Sequence, residues 1–151
     1  MPGKDSRSAV NSSASAGYSG TPQLRKLGIS SGTTVAIVRE PDGWTFEVPL
    51  PDEVTRARPG GRSPVDIVLS FVREPDELGA LEAWGERIFP SGAIWVAWPR
   101  KAAGHQSEVT ENLIRDRALP LGLVDVKVAA IDTDWSGLKV VWRRELRDRS
   151  R

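Results

Sequence analysis

Phe89-Pro90-Ser91-Gly92-Ala93-Ile94-Trp95-Val96-Ala97-Trp98-Pro99-Arg100-Lys101 holds six consecutive apolar residues, Ala93 to Trp98, between a Pro-Ser-Gly turn and a proline followed by two cations. A segment without polar alternation must be covered on both faces. That suits an inner strand of a parallel sheet, which is packed on both sides, rather than an edge strand. Trp95 and Trp98 are three apart and so point to opposite faces of such a strand.

Upstream, Val65-Asp66-Ile67-Val68-Leu69-Ser70-Phe71-Val72 is a second nearly continuous apolar run and reads as a second inner strand. Pro75, followed by Asp76 and Glu77, starts a helix: the fixed φ of proline suits the first helical position, and acids suit the positive end of the helix dipole. Leu78, Leu81, Gly85 and Ile88 recur at helical spacing and face the sheet. Strand, helix and co-directional strand make a right-handed βαβ crossover. Further upstream, Pro22–Leu27 predicts a short helix ended by Gly28, Gly32–Val38 a strand, and Val54–Ala57 a short strand. Trp44, Phe46, Val48 and Leu50 alternate as in a strand, although a short helical turn fits as well.

Downstream, Ser107 predicts the cap of a helix reaching about Ala118, with Val109, Leu113 and Ile114 inward. Leu123–Ile131 predicts a strand with Val124, Val126 and Val128 on one face and Asp125 and Lys127 on the other. Asp132–Gly137 is a turn, and Leu138–Trp142 returns antiparallel. The expectation is one α/β domain: a Rossmann-like, mostly parallel sheet with helices packed on it and a C-terminal antiparallel hairpin.

The 151 residues are 39% apolar and 27% charged, which bounds the chain to one soluble domain with a single core. Residues 1–16 read as a disordered tail, because Met1 and Val10 are their only large apolar residues; 17–146 read as the domain and 147–151 as a frayed basic end. Neither an apolar signal-peptide core nor a membrane-length apolar run is present, so the expected compartment is the cytoplasm. Net charge is +1, but residues 143–151 carry five arginines against Glu145 and Asp148. The positive excess therefore sits at the ends, whereas a nucleic-acid reader carries it on its folded surface.

The ordered set Val65–Val72, helix, Pro90-Ser91-Gly92 turn, Ala93–Trp98 strand and final hairpin resembles the back half of class I S-adenosylmethionine-dependent methyltransferases. More closely, Gly17-Tyr18-Ser19-Gly20-Thr21-Pro22, Lys26-Leu27-Gly28-Ile29, Ile94 to Lys101, Leu119 to Val128 and Asp134 to Lys139 resemble a bacterial, largely actinobacterial family known as a domain of unknown function. That second resemblance implies no activity. The first implies a glycine-rich bend after the opening strand and an acid at the end of the next, both contacting the cofactor. Here the bend is Arg39-Glu40-Pro41-Asp42-Gly43, with one glycine, and the next strand runs Val54-Thr55-Arg56-Ala57-Arg58 and ends basic. Bulk and charge stand where the backbone must approach a ligand closely, so no cofactor is expected.

Other chemistries are also poorly provided for. The single histidine, His105, lies in a polar loop, and no Gly-x-Ser-x-Gly elbow occurs. With no cysteine, thiolate zinc sites are excluded, and Asp132 and Asp134 read as turn caps. No catalytic residue and no metal site are expected. Open α/β sheets place ligands beyond the carboxyl ends of their strands. Arg100 and Lys101 lie there, with Arg115 and Lys127 expected within reach, so a small anionic ligand such as a nucleotide or phosphate is one expectation. Trp135, in a turn, reads either as packing or as an anchor for a protein partner. Three readings follow: a non-catalytic bacterial binding or interaction protein, an enzyme or sensor for a small anion, and an S-adenosylmethionine-dependent methyltransferase.

Overall fold

A computed structural model describes residues 22–148. The expected tail, nearly all of the turn-rich lead-in and residues 149–151 of the basic end lie outside the described residues. The described residues form a six-stranded sheet from β1 (Thr34–Val38), β2 (Thr55–Ala57), β3 (Ile67–Phe71), β4 (Ala93–Pro99), β5 (Leu123–Ala130) and β6 (Trp135–Trp142). The order is β2-β1-β3-β4-β6-β5. The first four strands are parallel, and β6 runs antiparallel to both β4 and β5. This is the expected Rossmann-like α/β architecture with a closing hairpin.

The continuous apolar runs are inner strands. Every residue of β3 is buried, as are Ala93 to Ala97 of β4. Alternation divides their side chains between two cores. Val68, Ile94 and Val96 meet α2 (Leu81–Ile88) and α3 (Glu111–Ala118) through Leu81, Trp84, Ile88, Ile114 and Ala118. Leu69, Phe71 and Trp95 face the other way, toward α1 (Gln23–Leu27) and the irregular segment 39–54, which supplies Trp44, Phe46 and Leu50. Trp95 and Trp98 thus face opposite cores, as their spacing requires. Gly92 has a packing reason in the turn before β4: a Cβ there would lie 2.5 Å from the Asp66 carbonyl oxygen.

Five local expectations change; the turn expected over Asp132–Gly137 ends at Asp134, because Trp135, Ser136 and Gly137 already pair with β4 as the start of β6. The helix after Pro75 begins as a 3-10 segment, Pro75–Ala80, closed by reciprocal hydrogen bonds between Glu74 and Glu77, and becomes α-helical only at Leu81. The cap of α3 is Thr110, not Ser107: Thr110 is extended and its hydroxyl accepts from the Leu113 amide, while Ser107 accepts from Val109. Segment 44–50 is neither strand nor helix. Finally, a bulge lies between Asp125 and Lys127, so that Asp125 stands opposite Val140 and Lys127 opposite Lys139. Adjacent residues of β6 point to opposite faces, so Asp125 and Lys127 are separated rather than aligned.

Candidate functional site

The strand order reverses between β1 and β3, because β1 leads outward to β2 while β3 leads inward to β4. In open α/β sheets this switch point is the usual ligand crevice. Here the chain's own groups reach across it. Arg39, directly after β1, has φ 57°, a left-handed conformation that disfavours any residue with a Cβ. Its guanidinium reaches across to Glu77, beyond β3, at 3.6 Å. On the opposite face, Trp44 folds back over the end of β3. Its ring packs edge-on against Phe71 at 4.9 Å and Phe46 at 4.8 Å, and its Nε1 donates to Asp132 Oδ2 at 2.8 Å. Beside β2, Arg56 is paired with Glu40 at 2.6 Å. A surface groove of about 380 Å³ remains there, with Trp44, Phe46, Val48 and Leu50 as its apolar lining and the Glu40–Arg56 pair among its charges.

The second concave region lies at the carboxyl end of β4, on the α3 side of the sheet. It measures about 340 Å³ and is lined by Trp98, Pro99, Arg100, Lys101, Ala102, Ser107, Val109, Thr110, Glu111 and Ser136. Three elements build it. β4 delivers Trp98 and Pro99 opposite Ser136 and Trp135 of β6. A short 3-10 turn, Lys101–Ala103, reverses the chain at Gly104. The loop to α3 is then tied to the end of β3 by Ser107, whose hydroxyl donates to the Arg73 carbonyl oxygen at 3.2 Å. Arg100 braces the hairpin turn, donating to the carbonyl oxygens of Asp132 and Thr133. Lys101 is exposed.

Of the four cations expected to gather, Arg100 and Lys101 line this cleft; Arg115 and Lys127 do not. Arg115 is held by Glu111, one turn earlier on α3, and by Asp125 of β5 at 2.9 Å. Its hydrogen bonds to the Glu111 carboxylate first and to Asp125 second raise its pKa above the ordinary arginine value. Lys127 faces Lys139 on the other side of the hairpin. Asp66 is at the far end of the sheet, where its Oδ2 accepts from the Thr34 amide. Trp135 is 7% exposed, edge-on to Phe71 and beneath the Arg73 guanidinium. His105 Nε2 lies 2.9 Å from Asp134 Oδ1 on the exposed turn. Asp132 caps its turn, accepting from the Asp134 and Trp135 amides. Sequence position marks Glu77 and Ser107 only as helix-start residues, and nothing local marks Thr110 or Ser136 as part of a cleft.

Solved structures share the fold. A SAM-dependent methyltransferase from Aquifex aeolicus superposes with a TM-score of 0.53 at 13% identity, covering 78% of this chain and 86% of its own. Fibrillarin from Aeropyrum pernix, with natively bound S-adenosyl-L-methionine, gives 0.50 at 14% identity over 79% and 73% of the two chains. LepI in complex with SAM gives 0.51 at 11% identity, covering 82% of this chain but 47% of its own. The fold is methyltransferase-like. No family model matches the sequence, and no curated protein is similar to it.

That fold implies S-adenosylmethionine, but the residues here do not fit it. The bend after β1 carries Arg39, Glu40 and Pro41 where a backbone cradle is needed, and the β1–β3 crevice is bridged by Arg39 and Glu77. The second strand offers Arg56 in place of an acid, and Arg56 is itself neutralised by Glu40. Among the described residues no group of three or more histidines or acids is gathered to hold a metal, and no helix is long and apolar enough to cross a membrane.

Proposed function

We propose that this chain is a non-catalytic binding protein built on a methyltransferase-like scaffold, in the bacterial cytoplasm and within the actinobacterial family its motifs resemble. The observation that supports this reading is the Arg39–Glu77 pair spanning the switch-point crevice on one face, with Trp44 packed over the end of β3 on the other. Burial of Trp135 favours its packing role, so the partner-facing surface of this reading lies elsewhere.

Calorimetric titration with S-adenosylmethionine tests it. The expected result is no heat of binding and no change in melting temperature, whereas a ligand at one hundred times its Kd would add about 2.7 kcal/mol. Saturable binding of S-adenosylmethionine, with methyl transfer to any acceptor, would establish the methyltransferase reading instead. A second reading, a small anion at the β4 end, is favoured by the placement of Arg100 and Lys101 in one cleft.

A further inference from the structure

We infer that the cleft at the end of β4 takes a phosphate-bearing ring compound of the nucleoside monophosphate class, a specification that rests on the reading of the chain as a binding protein. The cleft is rich in hydrogen-bond donors and poor in acceptors. Among the described residues the Lys101 ammonium has no carboxylate partner, whereas Arg39, Arg56 and Arg115 each have one. Trp44, Trp95 and Trp142 each donate their indole N–H to an oxygen. Trp98, like Trp84 and Trp135, has no such acceptor among the described residues, so its indole does not single out the cleft. The Thr110 hydroxyl accepts from the Leu113 amide and keeps its own proton to donate, and the Ser136 hydroxyl has no bond among the described residues. The one acid in the lining, Glu111, is held by Arg115.

Lys101, Thr110 and Ser136 bring an ammonium and two hydroxyl donors to one cleft, which suits an anion. They match the three terminal oxygens of a phosphate better than the two of a carboxylate. Trp98, Pro99, Ala102 and Val109 form an apolar wall beside them, suited to a flat ring. The volume of about 340 Å³ falls within the range of small-ligand pockets.

The test titrates the full chain with adenosine monophosphate, adenosine and inorganic phosphate, followed by tryptophan fluorescence and calorimetry. Adenosine monophosphate is expected to saturate and to bind more tightly than either part alone. Lys101→Ala is expected to weaken it about tenfold, the loss of one charge-assisted hydrogen bond, and Lys127→Ala to leave it unchanged. Circular dichroism of both variants checks that they fold. No response to adenosine monophosphate would overturn the proposal, and so would equal weakening by Lys101→Ala and Lys127→Ala. Adenosine binding as tightly as its monophosphate would remove the phosphate, and phosphate binding as tightly would remove the ring. S-adenosylmethionine is titrated separately: binding of it that survives Lys101→Ala counts against the non-catalytic reading alone, and silence of both ligands counts against the cleft alone.

Discussion

At the carboxyl edge of one sheet, the β1–β3 crevice and the β4 cleft present similar residue types in opposite states. Both combine arginine or lysine, an acid and a tryptophan at a strand end. In the crevice the charges are matched within the chain, Arg39 to Glu77 and Arg56 to Glu40, and Trp44 is folded inward onto Phe71. In the cleft Lys101 stands apart from the acids, while Glu111 is drawn off by Arg115. A basic residue beyond a strand therefore marks a site only when no neighbouring acid already satisfies it. The same distinction removes Arg115 from the set that sequence position had grouped with Lys101.

The largest expected effect probes the filled side of this contrast. Phe71 is fully buried, with ring centroids 4.9 Å from both Trp44 and Trp135. Phe71→Ala should cost about 3–5 kcal/mol by leaving a cavity beneath both tryptophans. Urea unfolding measures it, and a loss near 1 kcal/mol would mean that the rings do not form a packed plug. Trp44→Ala comes next. It removes two edge-on ring contacts at about 0.5–1.5 kcal/mol each and leaves Asp132 Oδ2 without its indole donor. A total of about 2–3 kcal/mol is expected, with no S-adenosylmethionine binding gained, since the Arg39–Glu77 bridge remains.

Why Trp44 matters could not be read from residues 39–54 alone. Its hydrogen-bond partner lies 88 positions away, and the Trp44, Phe46, Val48, Leu50 spacing fits two local structures equally. The inner strands were legible because burial on both faces leaves no polar residue to break the run, as in Ala93 to Ala97. The short helix before Gly28 and the turn at Asp132 were legible for a different reason, the local chemistry of glycine and aspartate. The bulge at 126 was not. One extra residue in β5 reverses the alternation, and only pairing with β6 decides which side Lys127 takes. The cleft was half legible. Its cations follow from strand position, but its hydroxyls come from Ser107, Thr110 and Ser136, which sheet and helix packing bring together.

Arg39→Gly sharpens the comparison with a smaller effect. Glycine relieves the left-handed strain at φ 57°, about 1–2 kcal/mol. The change also removes an ion pair whose side chains are 52% and 22% exposed, worth about 0–1 kcal/mol. The net is a gain of about 0–2 kcal/mol, so the midpoint of unfolding should hold or rise. The more informative reading is ligand binding. If Arg39→Gly alone gained S-adenosylmethionine binding, the crevice would be a latent site held shut by one side chain, and its contrast with the cleft would reduce to that residue.

The smallest effect belongs to Lys101. Its ammonium is exposed and unpaired among the described residues, so Lys101→Ala should change stability by no more than about 0.5 kcal/mol. Arg115→Ala should lower the melting temperature, because it leaves Glu111 and Asp125 without the guanidinium between them. The raised Arg115 pKa keeps that guanidinium charged throughout the neutral range. Its contribution is present below the unfolded arginine value and is lost only as pH rises through the still higher folded one, so the difference between the two variants should persist across neutral pH. Thermal melts of both at two neutral pH values decide the point. A loss at Lys101 as large as that at Arg115 would show that Lys101 is already engaged within the fold, and the cleft would then resemble the crevice rather than oppose it.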